Sequence, residues 1–292
     1  MRLRSRTLVP LALAAGALLG ATGLYVNTHT APVKLAAATI PTYAHVVVVM
    51  EENHSYADII GNTTSAPYMN SLASQGALMT GSYGVTHPSE PNYMALFGGS
   101  TFGLSSDACP TNEGAKANLG SELLAAGKTF KGYSEGLPST GSTACTSGSY
   151  ARKHSPWINF SNVPTSDSLP FSSFPSSSNY ASLPTLSFVI PNLKDDMHDG
   201  TIAQADTWLN SHISAYATWA KTNNSLLIVT WDEDDYTEGN QIPTIFVGQN
   251  VVTGHYNQNV NHYSVLATLE KMYGLGLVGS SASATPITSI FG

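Results

Sequence analysis

The sequence predicts an α/β protein in which helices cover both faces of a mostly parallel central sheet. Three observations support this: short β-branched runs typical of buried strands, amphipathic segments between them, and polar residues where the runs end. Because the two kinds of segment alternate along the chain, we expect a doubly wound sheet.

Four apolar runs predict the strands. The first, His45–Met50, reads HVVVVM and is followed by Glu51-Glu52-Asn53. The others are Leu186–Ile190, Leu226–Trp231 and Ile242–Val247. Uninterrupted runs of this length are typical of strands that are buried on both faces.

Two segments with helical periodicity separate or follow these runs. Thr201–Ala220 has apolar residues three or four positions apart, and Tyr263–Tyr273 repeats the pattern and stops at Gly274. The segment 139–182 is rich in Ser, Pro, Thr and Gly. Since strand and helix signals continue on both sides, we interpret it as an irregular insertion, such as a lid, within one domain of residues 39–292.

The first 38 residues have the pattern of an export signal. Three arginines at positions 2, 4 and 6 precede an apolar run from Leu8 to about Val26, and Ala36, Ala37 and Ala38 follow. The run is also long enough for an uncleaved anchor of ~20 residues. We therefore expect a secreted protein, with membrane anchoring by the N-terminus as the alternative.

The charge balance limits the partners of the domain. Residues 39–292 contain eight basic and 19 acidic residues, a formal net charge of −11. So acidic a chain is a poor nucleic-acid binder, because affinity for phosphate backbones comes from Lys and Arg. A phosphorylated ligand would need a bound cation or a local basic patch.

Cys109 and Cys145 are the only cysteines. In an exported protein such a pair most simply forms a disulfide. By closing the loop between the two cysteines, this bond would stabilise the folded state by ~3–4 kcal/mol. A metal site is the rival interpretation, but the two thiols have no nearby histidines in the sequence.

Acidic and amide side chains follow three of the predicted strands. They are Glu52 and Asn53, then Asp195, Asp196, His198 and Asp199, and then Asp232, Glu233, Asp234 and Asp235. Ligands of open α/β sheets bind beyond the carboxyl ends of the strands. Clustered carboxylates repel one another unless a cation compensates them, which favours one divalent ion such as Ca²⁺, Mg²⁺ or Mn²⁺. The alternative is that these residues only cap helices and face water.

Ser89 lies in the segment THPSEPNY, ahead of a run of helical character. We expect it at or beside a helix N-cap, where free backbone N–H groups and the helix dipole favour an anion. With a metal nearby, the hydroxyl could form a phosphoserine, although an ordinary N-cap serine is the alternative. Asn92 could donate to a phosphate oxygen.

Four of the nine histidines have motif-like settings. His198 lies beside Asp199, and His262 opens the last predicted helix. His154 follows a lysine and could meet an anionic group, and His87 precedes the Ser89 segment.

Five motifs in order along the chain resemble the bacterial phosphoesterase family of secreted acid phosphatases and non-zinc phospholipases C. They are MEENHSY from Met50, THPSEPNYMALFGG from Thr86, DMHDG from Asp196, TWDEDD from Thr230 and HYSVLATLEKMYGL from His262. The family looks like a branch of the alkaline-phosphatase-like superfamily. Compact length and the export signal place the chain nearest to the mycobacterial secreted acid phosphatases.

The resemblance implies a role for each matching residue. Glu52, Asn53, Asp232 and Glu233 match metal ligands, and Ser89 matches the nucleophile. His198, Asp199 and His262 match catalytic positions near the phosphate, His154 is a weaker match of this kind, and His87, Asn92 and His154 are expected to bind substrate. If His198 or His262 is the acid, it must be protonated, which favours an acid pH optimum.

The function implied is a metal-dependent phosphomonoesterase acting on a phosphorylated small molecule or phospholipid head group. Phosphoinositides such as phosphatidylinositol 3-phosphate are the substrates of the nearest members, and such substrates imply peripheral membrane contact. Separately, we expect the protein to be a monomer. The alternatives are a phospholipase C-type phosphodiesterase and a non-catalytic module that binds a cation or polyol.

Overall fold

The computed structural model describes residues 39–292, so the predicted export signal lies outside the described residues. The strands are β1 His45–Glu51, β2 Ala77–Met79, β3 Ser82–Tyr83, β4 Phe130–Ser134, β5 Thr146–Ser147, β6 Tyr150–Ala151, β7 Ser168–Pro170, β8 Leu186–Ile190, β9 Ser225–Trp231, β10 Thr244–Gly248, β11 Gly254–Tyr256 and β12 Val260–Asn261. The helices are α1 Tyr56–Ile59, α2 Pro67–Gln75, α3 Ser89–Gly98, α4 Leu119–Ala125, α5 Ile202–Ala220 and α6 His262–Tyr273.

Eight strands form the central sheet in the order β11-β2-β10-β9-β1-β8-β4-β7. Strand β1 is parallel to both β8 and β9, and β4 is parallel to β8 and β7. Strand β10 is antiparallel to β9, because the short connection 232–243 is a loop and lacks the length of a parallel crossover. The predicted α/β fold with a mostly parallel sheet is confirmed.

Alternate residues of β1 face two separate hydrophobic cores. Val46, Val48 and Met50 pack on the side of α3, α4 and α6. Val47 and Val49 pack on the side of α2 and α5. The central strand is therefore buried on both faces, which explains its uninterrupted β-branched sequence.

The Ser- and Pro-rich segment 139–182 packs against the edge of the sheet. It contains β5, β6, β7 and several short 3₁₀ helices. The Trp157 ring lies so close to Gly132 of β4 that a Cβ there would lie 2.2 Å from it. The segment thus delivers buried side chains, including His154, to the carboxyl edge of the sheet.

Cys109 and Cys145 form the predicted disulfide, with a Cα–Cα distance of 5.8 Å. A disulfide fits an extracellular protein. Within residues 39–292, no helix combines the length and apolarity that a bilayer span requires.

Candidate active site

The carboxyl ends of β1, β8 and β9 bring three acidic residues together. Glu51 pairs with Trp231 at the ends of β1 and β9, so Glu52 and Asp232 are the next residues on neighbouring strands. The Glu52 N–H donates to the Asp196 carbonyl at 3.0 Å. Glu52, Asp196 and Asp232 are fully buried.

His154 completes this buried group, which we call the floor of the site: Glu52, His154, Asp196 and Asp232. Its Nε2 lies 3.0 Å from Glu52 Oε1 and its Nδ1 lies 3.3 Å from Asp196 Oδ2. The His154 ring stacks on Tyr93, whose hydroxyl donates to Glu52 Oε1 at 2.5 Å. Both carboxylates are therefore held against one imidazole.

Burial strongly shifts the pKa values of the floor residues. Desolvation, and then repulsion from Asp232 and Asp196, raises the pKa of Glu52 well above its usual value. Desolvation raises the pKa of Asp232 to about 7. Desolvation, followed by the positive charge of Lys153, lowers the pKa of His154. Without a compensating positive charge, the buried carboxyl groups of the floor thus favour their protonated forms.

The floor residues fit a divalent cation. One ligand atom each from Glu52, His154 and Asp196 lie within 4.8 Å of one another. Asp232 Oδ2 is buried without a hydrogen-bond partner among residues 39–292, and the close contacts of His154 Nε2 and Asp196 Oδ2 lack hydrogen-bond geometry. Because an unpaired buried polar atom costs about 1–3 kcal/mol, a ligand for these atoms is expected. Glu52, His154 and Asp196 could therefore bind a metal ion.

Ser89 lies directly beside the floor. It is the first residue of α3, after the N-cap Pro88, and its Oγ donates to Glu52 Oε2 at 3.0 Å. The sequence predicted free N–H groups around this serine. Instead, the Glu90 N–H donates to Asp107 Oδ1 at 2.9 Å, and the next residue is a proline without an N–H.

A more accessible group surrounds the floor, which we call the rim: His87, Asp107, Lys153, His198 and Asp199. Lys153 Nζ lies 2.7 Å from Asp107 Oδ2 and 3.1 Å from His198 Nε2. His198 Nδ1 lies 2.7 Å from Asp199 Oδ1. Although burial opposes it, hydrogen bonding and charge from Asp107, with charge from Glu52, raise the pKa of Lys153. A fixed cation thus faces the acidic floor.

The second acidic residue after β9, Glu233, is bonded to the Ser89 segment. Its Oε2 accepts from Asn92 Nδ2 at 3.1 Å and lies 3.1 Å from His87 Nδ1. His87 Nε2 lies 3.1 Å from Asp234 Oδ1. Burial, and then repulsion from Asp232, raises the pKa of Glu233 to about 9. These residues are in the site, but their polar atoms bind one another.

Three further predicted residues contact the site in ways that fix its backbone. Asn53 donates its backbone N–H to Asp232 Oδ1 at 3.1 Å. Asn92 Oδ1 accepts from two backbone N–H groups of residues 85 and 86. His262 Nε2 donates to the Asp232 carbonyl at 2.6 Å, and burial lowers the pKa of His262 to about 4. His262 is therefore neutral and buried, and its hydrogen bond fixes the position of the backbone that follows β9.

Sequence reasoning missed four contributors: Tyr93, Asp107, Lys153 and the ligand geometry of Asp196. Asp196 was noted at a strand end, and Lys153 and Tyr93 adjoin residues that were singled out, so proximity was a usable signal. Asp107 had no local signal, because only the folding of the disulfide loop brings it to Lys153.

The α/β fold that carries this site is similar to that of solved structures, one of them from the alkaline phosphatase superfamily. A protein of that superfamily from Vibrio parahaemolyticus has a TM-score of 0.58 and 13% identity, covering 84% of this chain and 71% of the other. The lipoteichoic acid synthase LtaP from Listeria monocytogenes has a TM-score of 0.58 and 9% identity, covering 81% and 73%. The alkaline-phosphatase-like fold is confirmed.

The chain belongs to the Phosphoesterase family, whose sequence profile matches residues 62–276. It is 63% identical over 260 residues to "Phosphatidylinositol-3-phosphatase" of Mycobacterium tuberculosis (strain ATCC 25618 / H37Rv), covering 89% of this chain and 87% of the relative. It is 32% identical over 250 residues to "Acid phosphatase" of Aspergillus fumigatus, covering 78% of this chain and 54% of that relative, about half its length. The family resemblance is confirmed, and the chain is a hydrolase of phosphoric esters.

Proposed function

We propose that the chain is an exported, metal-assisted phosphomonoesterase of the acid phosphatase type, with Ser89 as the nucleophile. One observation carries this proposal: Ser89 Oγ donates to the buried Glu52 Oε2 at 3.0 Å, beside a group that could hold a cation. A serine that only capped a helix would have its hydroxyl on the helix backbone, whereas α3 has no side-chain cap bond.

In the first step Ser89 Oγ attacks phosphorus. The Oγ–P bond forms, the bond from phosphorus to the substrate alcohol breaks, and the serine proton passes to Glu52 Oε2. Glu52 Oε2 is placed for this transfer, because it already accepts a hydrogen bond from the Ser89 hydroxyl at 3.0 Å. A divalent cation held by Glu52, His154, Asp196 and Asp232 would supply positive charge to the phosphoryl oxygens and to the attacking hydroxyl.

His198 protonates the departing alcohol. In the resting site its Nδ1–H donates to Asp199 and its Nε2 accepts from the Lys153 ammonium, so Nε2 takes up a proton and turns from Lys153 to the leaving oxygen for this step. In the second step water attacks phosphorus and gives a proton to His198, the Oγ–P bond breaks, Ser89 Oγ takes back its proton from Glu52, and phosphate is released. His262 and Asn53 act by positioning Asp232, and Asn92 acts by holding the Ser89 segment, through the contacts described above.

Phosphoinositides are the substrate class that the 63% identical relative favours, since its printed name is Phosphatidylinositol-3-phosphatase. Lys153 gives the otherwise acidic site a cation for a substrate phosphate. Such a lipid substrate requires peripheral contact with a membrane. The basic and apolar residues at the N-terminus and the disulfide support export.

The ligand set favours Ca²⁺, Mg²⁺ or Mn²⁺, because carboxylate oxygens predominate in it. The single imidazole of His154 favours Mn²⁺ among these three, since nitrogen ligands suit transition metals.

A substrate panel tests the proposal. The purified protein is incubated with p-nitrophenyl phosphate, phosphatidylinositol 3-phosphate vesicles and phosphatidylcholine vesicles, with chelator or with each metal. We expect release of inorganic phosphate that needs a metal, and loss of at least ~10³-fold in Ser89→Ala. Ser74→Ala, an exposed serine of α2, is the control.

Two other outcomes would replace the proposal. Release of phosphocholine from phosphatidylcholine would indicate a phospholipase C. Binding of the cation without any hydrolysis would indicate a non-catalytic module.

A further inference from the structure

Tyr236 is the most exposed large hydrophobic side chain among residues 39–292, at 71%. It lies in the loop that follows β9 and carries Glu233 and Asp234. Its ring stacks on His87 of the rim, with ring centroids 3.9 Å apart and planes 20° apart. One face of the tyrosine is thus covered by His87, and the exposure of the side chain leaves the other face open to a ligand.

The backbone of Tyr236 is strained, because its φ of 69° lies in the left-handed region that bulky residues avoid. A network around Asp234 holds it there. Asp234 Oδ1 accepts from the Tyr236 N–H at 2.8 Å, and Oδ2 accepts from the N–H groups of Glu238 and Asn240. Asn240 in turn donates to the Thr86 carbonyl at 3.0 Å, which ties the loop to the Ser89 segment.

The acidic groups of the site act electrostatically on the Tyr236 hydroxyl. Desolvation, and then the charges of Glu233, Asp107 and Asp232, raises the pKa of Tyr236. A ring this exposed adds little to the hydrophobic core, so packing does not explain why a strained tyrosine is held over the rim. An aromatic face that is rigid and open to solvent is a surface for stacking.

We propose that Tyr236 is a specificity-determining residue whose free face stacks on the ring of the substrate alcohol. This inference rests on the proposed function and extends it to a substrate class: phosphomonoesters whose alcohol carries a six-membered ring with an apolar face. An aryl ring and the C–H face of a cyclic polyol share this chemistry. Esters of open-chain alcohols gain nothing from the tyrosine.

Binding measurements test this independently of turnover. In the Ser89→Ala background, calorimetry gives the affinity for phenyl phosphate, myo-inositol 1-phosphate and glycerol 1-phosphate. The test variant is Tyr236→Asn, because asparagine tolerates positive φ and the loop keeps its shape. Tyr236→Phe keeps the ring, and Val252→Ala removes another exposed apolar side chain, 47% exposed.

We expect Tyr236→Asn to weaken binding of the ring-bearing phosphates about 10-fold and of glycerol 1-phosphate less than 2-fold. Tyr236→Phe and Val252→Ala should match the parent. Loss with only one of the two rings identifies which ring type is stacked. An equal loss of affinity for all three ligands, or no loss of affinity for either ring-bearing phosphate, overturns the proposal.

The same variants with Ser89 intact separate this inference from the proposed function. If that enzyme releases no phosphate from any ester, the proposed function fails, while the binding ratios still decide the role of Tyr236. If it is active and the ratios do not change, only the inference about Tyr236 fails.

Discussion

The floor and the rim of the site are built from similar residue types in opposite environments. The floor residues Glu52 and Asp196 are fully buried and carry unpaired or crowded oxygens. In the rim, the side chains of Asp107 and His198 are 28% and 27% exposed, and each has a partner of complementary polarity. Burial therefore makes one set of carboxylates dependent on a cation, while water and partners satisfy the other.

This difference separates two tasks. The floor can respond to a metal, because its carboxyl groups are crowded and shielded from water, so that a bound cation would favour their ionised forms. The rim can exchange protons and hold an anion, because its groups remain accessible. Variants of each region should consequently fail in different ways.

The largest effect should come from Glu52→Gln, which removes a floor charge and the acceptor of the Ser89 proton. We expect kcat to fall by roughly 10³-fold or more and the cation-induced rise in Tm to disappear. Calorimetric melting with and without Mn²⁺ measures the second effect. Glu51→Gln is the matched control. Glu51 is equally buried, but its side chain points to the face of the sheet that α5 covers. A full cation response in Glu52→Gln would remove Glu52 from the ligand set.

The next effect should come from His198→Gln, which removes the rim acid. An alkyl phosphate needs protonation of its poor leaving group, whereas p-nitrophenolate leaves unaided, so kcat should fall roughly 100-fold only for glycerol phosphate. The pH–rate profile for glycerol phosphate should also change its shape. His212→Gln, exposed on α5, is the control. An unchanged profile would argue against His198 as the acid.

A smaller effect should come from Lys153→Met, which removes the rim cation and leaves the floor intact. We expect KM to rise about 10-fold with little change in the metal-induced shift of Tm, because a charge-assisted hydrogen bond to the anion is lost. Lys131→Met breaks an ion pair with Asp167 away from the site and is the control. Equal effects of the two substitutions would contradict a role of Lys153 in binding.

The smallest effect should be the pH dependence of Tm in chelator. Burial raises the folded-state pKa of Asp232 to about 7 and of Glu233 to about 9. The folded chain then keeps protons that the unfolded chain has lost, so stability should fall as pH rises from 7 to 9. The expected slope is roughly 2–4 °C per pH unit.

Histidines of the unfolded chain are mostly neutral in that range, so the lowered pKa values of His154 and His262 add little opposing slope. Bound metal should remove the slope, because it stabilises the ionised carboxylates. Glu233→Gln should flatten it, and Glu238→Gln in the same loop should not. A Tm independent of pH in chelator would show that the floor carboxylates hold no extra protons.

Sequence reasoning succeeded where local pattern and sheet geometry agree. The buried apolar runs predicted β1, β8 and β9. Because parallel strands end at one edge of a sheet, the sequence also predicted that Glu52, Asp196 and Asp232 lie close together. The direction of β10 was not predictable, since an apolar run does not encode direction. His154 was a candidate from its sequence setting, but its segment has no periodicity, so its contacts with Glu52 and Asp196 could be read only from the fold.

The Cys109–Cys145 bond joins the loop bearing Asp107 to the segment bearing Lys153. The covalent crosslink and the rim ion pair therefore span the same gap between two otherwise irregular stretches. A chain made in a reducing compartment would keep its sheet, but side-chain contacts alone would hold its substrate-facing lysine. Formation of the disulfide in an oxidising compartment would then also help to hold Lys153 in its position in the rim.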